Sequence, residues 1–340
     1  MPPLGPGAAP LERLLADLPA SAGAGAMTAA APRPPLVAPH VHEAADAHHE
    51  AFQRATPFGH CVIDDFFEAS FANELLAEFP DVARGNNLNE DGAAGAKSTY
   101  ERIMELGGSY RALDACIRSP AFLALVGRIT GVPDLLYDPH YFGGGTHENR
   151  HGQSLDTHID FNYHPVTGTH RRLNLIVYLN PEWQDEWGGA LELHRDPHDP
   201  AHDEVVRIAP VFNRCVVFET TEHSWHGFGR IALPEALRDT GRKSVALYFY
   251  TRDRPAAQTA AAHSTVYVDR PLPGHIRPGR TLTERDHAEL EELLARRDGH
   301  IRRLYREVSV LQSRLDTIRH HPLVRLARRA RRMFGGGRVP

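Results

Sequence analysis

The residues with the clearest chemical potential are two histidines and one aspartate. His158 and Asp160 are separated by a single residue, and His226 follows the aspartate by 66 positions, within Ser224–Gly227. Residues two apart in an extended strand project from the same face, so His158 and Asp160 can bind one metal without backbone strain. Two imidazoles and one carboxylate can occupy one face of an iron(II) ion and leave three positions open for chemistry. These residues therefore predict a metal site.

Short segments with the composition of β-strands surround this set. From Leu135 to Thr251, β-rich runs alternate with Gly, Pro, Asn and Asp, which is the pattern of a β-sandwich or barrel. We expect strands near 135–143, 155–161, 172–180, 190–194, 204–209, 214–220, 223–228 and 243–251. Upstream, the pattern predicts a strand near 60–67, helices near 71–79, 109–118 and 120–130, and a mobile loop at 85–98.

Composition limits the class of protein. The chain has 340 residues, of which 41% are hydrophobic, so it can bury a sizeable core. A net charge of −5 predicts no general attraction to nucleic acid. Cys61, Cys116 and Cys215 are odd in number and far apart, which predicts neither a disulfide framework nor a zinc site. This use of cysteine favours a reducing cytoplasm, and we find neither an apolar run long enough for a membrane span nor a secretory signal.

Several further motifs follow the first histidine in a fixed order. They are Arg171–Asn180, Trp183, Trp187–Leu193, Asn213–Glu219, the segment around His226, and Gly241–Tyr250. In this order and spacing they resemble the prolyl-4-hydroxylase-like branch of the iron(II)/2-oxoglutarate-dependent dioxygenases, over residues 57 to 253. The resemblance implies a mainly β fold with flanking helices, built on a double-stranded β-helix (jelly roll) core, to which a C-terminal long helix is added.

The resemblance also selects among the possible metal ligands. His223 and His226 lie three residues apart and point to opposite faces of a strand, so only one of them can bind. The family places its ligand before a glycine, here Gly227, which would leave room for close approach to the metal. His158, Asp160 and His226 are therefore the expected catalytic metal ligands. Asp160 argues against chlorination, because halogenating relatives lack the carboxylate.

A cation is expected for the distal carboxylate of 2-oxoglutarate. Arg242 begins the last core strand, and Ser244 shares its face, so both can reach that carboxylate. The resemblance gives this pair the same role, and it gives Tyr178 a hydrogen bond to the co-substrate. The alternative for Tyr178 is that of a core aromatic residue on a buried strand.

The position of this arginine departs from the family pattern. Arg242 lies 16 residues beyond His226, farther than the family usually places its arginine, because Ile231–Gly241 forms an additional loop. Arg230 and Arg238 are therefore rival candidates. We prefer Arg242, since it alone leads directly into a clear strand.

The resemblance implies a hydroxylase that uses Fe(2+), 2-oxoglutarate as co-substrate and O2, with ascorbate as a further cofactor known in the family. Oxidative decarboxylation would give succinate and CO2, while an unactivated C–H bond of a peptide, such as a prolyl residue, or of a small metabolite is hydroxylated. His147 and Asn162, near the mouth of the expected barrel, are candidates for substrate contact. Two alternatives remain open, a cupin-type metal-dependent isomerase or hydrolase and a non-catalytic coiled-coil assembly protein.

The two ends of the chain differ from the expected barrel. The sequence predicts a disordered Ala/Pro/Gly-rich arm at 1–45, the dioxygenase domain at 46–255 and a linker at 256–281. These are followed by a heptad helix at 282–321 and a basic amphipathic tail at 322–340. Met27 is an alternative start of translation.

The heptad helix and the tail suggest partners. Apolar residues recur in steps of three and four, interrupted once by Arg297, at Leu290, Leu294, Ile301, Leu304, Val308, Leu311, Leu315 and Ile318. A homodimer through a coiled coil and packing of this helix on the barrel both remain open. The tail carries arginines on one face and apolar residues on the opposite face. This pattern predicts either a solvated segment or contact with an anionic membrane or an acidic partner. Membrane contact would make the protein peripheral.

Overall fold

The computed structural model describes residues 35–81, 83, 86–88, 94–268 and 272–320. Its helices are α1 (Pro39–Glu43), α2 (Ala45–Arg54), α3 (Ala69–Ala77), α4 (Gly108–Ile117), α5 (Pro120–Thr130) and α6 (Glu284–His320). The start of α5 follows from its sequence, because the Ser119 hydroxyl accepts a hydrogen bond from the backbone N–H of Phe122 and Pro120 takes the first helical position. Gly131 ends this helix with a left-handed φ of 74°.

The strands pair in two antiparallel sheets. They are β1 (His60–Ile63), β2 (Asn86–Leu88), β3 (Ala94–Tyr100), β4 (Leu136–Tyr137), β5 (Gly145–Asn149), β6 (Leu155–Ile159), β7 (His170–Tyr178), β8 (Leu191–His194), β9 (Val205–Ile208), β10 (Cys215–Glu219), β11 (Trp225–Phe228), β12 (Arg242–Thr251) and β13 (Val266–Tyr267). The larger sheet has the order β1-β10-β7-β12-β5-β3-β2, with β4 also paired to β12. The smaller sheet has the order β13-β6-β11-β8-β9.

The path of the chain between the sheets defines the fold. From β5 to β12, the strands β5, β7, β10 and β12 join the larger sheet, whereas β6, β8, β9 and β11 join the smaller one. Strands that alternate in this way between two facing antiparallel sheets form the double-stranded β-helix, or jelly roll. The predicted mainly β fold with flanking helices and a long C-terminal helix is therefore confirmed.

Helices α2 to α5 pack on the outer face of the larger sheet. Because side chains alternate along a strand, Leu173, Leu175 and Val177 of β7 enter this helix-covered core, whereas Asn174 and Tyr178 point into the barrel. Phe122 of α5 is among the buried core residues, and burial of such a side chain contributes about 1.5–3 kcal/mol. The core therefore fixes which residues of β7 face the interior.

Three predictions about the chain before β5 are corrected. Residues 35–45 do not belong to a disordered arm, because Val41 and Ala45 are fully buried in the core next to Phe52 of α2. The expected loop at 85–98 contains β2 and part of β3, and β3 pairs with β5. The expected strand at 135–143 is only β4, because backbone pairing resumes at Gly145 in β5.

The long C-terminal helix forms as predicted, and it contacts the barrel. Its apolar heptad positions from Leu294 to Ile318 nevertheless stay between 47% and 60% exposed. Contacts with the barrel come from a different face, which carries Arg296, His300 and Arg303. The predicted linker at 256–281 contains β13, which pairs with β6.

Several predicted features lie outside the described residues. These are the arm up to residue 34, the alternative start at Met27, and the basic tail at 322–340. Within the described parts of the chain, no helix combines the length and the apolar character that crossing a bilayer requires.

Candidate active site

The two predicted histidine ligands lie on neighbouring strands of the smaller sheet. His158 of β6 is the direct cross-strand partner of His226 of β11, so both rings project from the same face, with centroids 4.4 Å apart. Asp160 follows the end of β6, and its carboxylate oxygens lie 3.8 Å from Nε2 of His158 and 3.5 Å from Nε2 of His226. One donor atom from each of these three buried residues lies within 4.8 Å of the others. The fold therefore brings the predicted ligand set together.

Backbone carbonyls fix the orientation of both imidazoles. Nδ1 of His158 lies 2.7 Å from the carbonyl oxygen of Asp156, and Nδ1 of His226 lies 2.9 Å from that of Ser224. A carbonyl oxygen only accepts hydrogen bonds, so each Nδ1 must carry the proton. In this orientation it is the Nε2 atom of each ring that is directed toward a shared metal ion.

Two further residues hold the carboxylate of Asp160. The amide nitrogen of Asn174 donates to Oδ2 at 2.8 Å, and Nη2 of Arg171 lies 3.1 Å from the same oxygen. Arg171 is 1% exposed, and its guanidinium lies between the rings of Phe161 and Tyr248, at 4.4 and 3.7 Å from their centroids. Arg171 opens one of the motifs, but its sequence context does not predict a role in this site.

The charge states suit metal binding. Burial alone would raise the pKa of Asp160, but the positive charge of Arg171 and the hydrogen bond from Asn174 contribute to a net lowering of this pKa, so the carboxylate is ionised. Burial lowers the pKa of His226 to about 4, so its imidazole is neutral at physiological pH. An ionised carboxylate and a neutral imidazole are the forms that coordinate a divalent cation.

Gly227 is required for a different reason than the sequence suggested. A Cβ atom at this position would lie 2.7 Å from the carbonyl oxygen of Leu155 and 3.1 Å from the Cα of Thr157, both on β6. The absent side chain therefore permits close pairing of the two ligand-bearing strands, rather than approach to the metal. His223, the rival third ligand, is exposed and lies outside the group of converging donors.

Arg242 lies inside the same barrel. Its Nε donates to the carbonyl oxygen of Gly189 at 2.6 Å, and Nη2 donates to the hydroxyl of Tyr178 at 3.2 Å. The guanidinium lies 4.3 Å from the ring centroid of Phe228, which follows His226 by two residues on β11. Ser244, also buried, is paired across the sheet with Tyr178. The predicted Arg242, Ser244 and Tyr178 thus form one cluster.

The charge of Arg242 is not balanced by an acid of the described chain. No carboxylate among the described residues lies within 4.0 Å of its guanidinium, although the side chain is only 5% exposed. Burial lowers the pKa of this guanidinium, which shows the cost of keeping the charge inside. The rival residues Arg230 and Arg238 are exposed, so neither has a comparable environment.

The two residues expected near the substrate are both buried. His147 is the cross-strand partner of Ser244, and its Nε2 lies 3.1 Å from the carbonyl oxygen of Gly143. The amide of Asn162 is used within the chain, because it donates to the carbonyl of Ala261 and accepts from the backbone N–H of His263. Contact of either residue with a substrate stays a prediction.

The residues fit an iron(II) ion and an anionic co-substrate. Two imidazoles and an ionised carboxylate on one face match the donor set of oxygen-activating iron(II) sites. A buried guanidinium without a carboxylate partner is suited to bind the carboxylate of a ligand, since both charges are then compensated. The arrangement therefore provides one metal site and one anion site within the barrel.

A family model and a sequence relative each match part of this chain. Residues 144–250 match the model of the 2OG-Fe(II) oxygenase superfamily. A mouse protein, prolyl 3-hydroxylase OGFOD1, is 33% identical over 81 residues, which are 24% of this chain. The chain spans only 14% of the length of this relative. The predicted resemblance to iron(II)/2-oxoglutarate-dependent dioxygenases is confirmed for residues 144–250.

Solved structures with a similar arrangement include two prolyl hydroxylases. The prolyl 4-hydroxylase from Phytophthora capsici has 19% sequence identity and a TM-score of 0.43, with 86% of this chain and 92% of that chain covered. The prolyl hydroxylase from Trichoplax adhaerens has 17% identity and a TM-score of 0.42, with 62% and 90% covered.

Proposed function

We propose that this chain, whose residues 144–250 match the 2OG-Fe(II) oxygenase superfamily, is an iron(II)- and 2-oxoglutarate-dependent dioxygenase. It hydroxylates an unactivated C–H bond of a peptide or a small metabolite. The observation that carries this proposal is the convergence of buried His158, Asp160 and His226 in a barrel that also buries Arg242 without a carboxylate partner among the described residues.

Each residue of the site has a separate task in this proposal. His158, Asp160 and His226 hold the metal, and Arg242 binds the distal carboxylate of 2-oxoglutarate, with Ser244 and Tyr178 as hydrogen-bonding neighbours. When bound, iron(II) and 2-oxoglutarate use O2 to insert one oxygen atom into a C–H bond, with release of succinate and CO2. The chain orients these groups, keeps the imidazole of His226 neutral by burying it and excludes bulk water from the barrel interior.

The first test is turnover of the co-substrate. Purified protein with iron(II), 2-oxoglutarate and O2, with and without ascorbate, should form succinate, and Arg242→Ala should lose this turnover because the anion site is removed. A cupin-type isomerase or hydrolase would not need Arg242. Absence of succinate with every substrate tried would contradict a dioxygenase and leave the cupin-type enzyme and the non-catalytic assembly protein as alternatives.

The substrate is the finer part of the proposal. The mouse relative is a prolyl 3-hydroxylase by name, so a prolyl residue within a peptide is the first substrate to test, and a small metabolite is the second. Incubation of the iron-loaded protein with peptide and metabolite extracts should yield a product that has gained one oxygen atom. A gain found only among metabolites would reject the peptide assignment.

We also propose that the chain forms a homodimer through α6. Every side chain from Val308 to Leu315 is exposed, so this stretch has no tertiary packing to stabilise it, and short isolated helices are marginal in water. The apolar residues of α6 recur about every 3.5 residues, so a partner helix with the same repeat can pack against them. Leu311→Asp should convert the dimer to a monomer in sedimentation experiments, whereas Ser313→Asp should not.

Two features of the cellular setting remain proposals. A reducing compartment such as the cytoplasm agrees with Cys61, Cys116 and Cys215, which are all free thiols. Contact of the basic tail at 322–340 with an anionic membrane or an acidic partner rests on its sequence alone.

A further inference from the structure

The C-terminal helix α6 is joined to the strand that carries the first metal ligand. Nη1 of Arg296 donates to the carboxylate of Asp156 at 2.5 Å, and Nη2 donates to the hydroxyl of Ser154 at 2.7 Å. Nη2 also donates to Glu292 of the same helix at 2.6 Å. The side chains of Arg296 and Asp156 are only 20% and 8% exposed, so this ion pair is partly removed from solvent screening.

Asp156 links this ion pair to the metal site. Its side chain is held by Arg296, and its backbone carbonyl accepts the hydrogen bond from Nδ1 of His158 at 2.7 Å. That carbonyl sets the tautomer and the ring direction of His158. Arg296 therefore acts on the residue whose backbone orients a metal ligand, although it lies 140 positions away from that residue in the sequence.

A second contact reaches the same histidine from α6. Tyr267 of β13 is the cross-strand partner of His158, and their ring centroids are 5.2 Å apart. Tyr267 also stacks on His300 of α6, with ring centroids 4.3 Å apart, and Arg303 donates to the backbone carbonyl of Thr265 at 2.9 Å. The helix thus holds β13 against the ligand-bearing strand.

We propose that Arg296 is a positioning residue for His158 and acts through Asp156. This inference rests on the proposed function, because it assumes that His158 binds a metal. It adds a part of the chain that lies beyond residues 144–250, the segment matched by the superfamily model. Outer partners of metal-ligating histidines typically change metal affinity by about 10- to 100-fold, and Arg296 acts one residue farther out.

The test measures metal binding directly. Co²⁺ is titrated anaerobically into the full chain and followed by visible absorbance, for the wild type, Arg296→Gln, Asp156→Asn and the double variant. We expect each single variant to bind Co²⁺ roughly 10-fold more weakly, at the lower end of the range for such partners. Because both changes break the same ion pair, the double variant should bind no more weakly than the singles.

Two controls separate positioning from general loosening of the fold. Arg302→Gln changes an exposed arginine on the same helix and should leave the Co²⁺ affinity unchanged. Arg296→Lys retains the charge but not the forked geometry, so its affinity should be intermediate. The dissociation constant of 2-oxoglutarate, measured at saturating Co²⁺, should stay within twofold of the wild type, because Arg242 lies on another strand.

The outcomes are distinguishable. A wild-type chain that binds no Co²⁺ contradicts the proposed function itself. A wild type that binds, together with an Arg296→Gln variant within twofold of it, overturns the positioning role. Additive effects in the double variant overturn the route through Asp156, and parallel loss of 2-oxoglutarate affinity shows a loosened barrel instead.

Discussion

Two arginines are buried inside the barrel, one beside Asp160 and one at the start of β12, and they differ in what balances their charge. Arg171 lies 3.1 Å from a carboxylate oxygen of Asp160. Arg242 contacts a carbonyl, a hydroxyl and aromatic rings, without an acid of the described chain in reach. The difference suggests that the first arginine maintains the protein's own structure, whereas the second is suited to an anionic ligand.

The largest expected effect comes from removal of the paired arginine. Arg171→Met keeps an apolar side chain between Phe161 and Tyr248 but leaves the Asp160 carboxylate buried without its cation. Loss of one partner of a buried ion pair typically costs about 3–5 kcal/mol, and urea unfolding of the metal-free protein should show a loss of this size. Saturating Co²⁺ should restore part of it, because a divalent cation again compensates the carboxylate.

The neighbouring Arg172 provides the matched control. Its guanidinium contacts the hydroxyl of Thr251 at 3.4 Å. Arg172→Met should therefore cost much less stability than Arg171→Met, and Co²⁺ should not recover the loss. Equal losses of unfolding free energy for the two variants would show that the ion pair of Arg171 with Asp160 does not stabilise the protein more than the contact of Arg172 does.

Removal of the other buried arginine should have little effect on stability and a large effect on 2-oxoglutarate binding. Arg242→Met should change the free energy of unfolding by only about 1 kcal/mol, because the lost hydrogen bonds are offset by removal of a buried charge. The dissociation constant of 2-oxoglutarate should rise about 100-fold, since a charge-assisted contact is lost. A large stability loss with unchanged 2-oxoglutarate binding would contradict the assignment of Arg242 as the anion site.

The sequence predicted the barrel better than its surroundings. Most strands of the barrel were placed because runs that contain β-branched and aromatic residues, such as Arg242–Thr251, are bounded by Gly, Asn and Asp. The two helices upstream of residue 57 were not predicted, since α1 and α2 are short, polar and rich in alanine and histidine. Their few apolar residues, such as Val41 and Phe52, are buried only because the folded sheet lies next to them.

The convergence of the three candidate ligands was also predictable from the sequence, but the residues that support them were not. The spacing of His158 and Asp160 predicts that their side chains lie on the same side of the chain. The contact of Arg171 with Asp160 depends instead on where the fold places β7 in the barrel. Arg296 is more remote still, because only the docking of α6 brings it to Asp156. Periodicity predicts which side chains share a face of a helix or strand, but it does not predict which other elements pack against that face.

Pairing of the two ligand strands can be tested independently of any charge. Gly227→Ala would place a Cβ atom 2.7 Å from the carbonyl oxygen of Leu155, so β6 and β11 must move apart. We expect a loss of about 1–3 kcal/mol in urea unfolding and weaker Co²⁺ binding. Gly229→Ala, which has open space at the Cβ position, should change neither quantity. Similar behaviour of the two variants would contradict a need for close strand pairing.

The smallest effect is expected for an arginine with good geometry but no burial. Arg128 of α5 donates to both carboxylate oxygens of Asp46 of α2, at 2.8 and 2.6 Å, and the two side chains are 53% and 79% exposed. Water and salt screen such a pair, so Arg128→Gln should leave the urea midpoint unchanged within error. If this variant destabilised the protein as strongly as Arg171→Met, hydrogen-bond geometry rather than burial would determine what an arginine contributes here. The contrast between Arg171 and Arg242 would then lose its physical basis, because that contrast assumes that a charge matters most where solvent cannot compensate it.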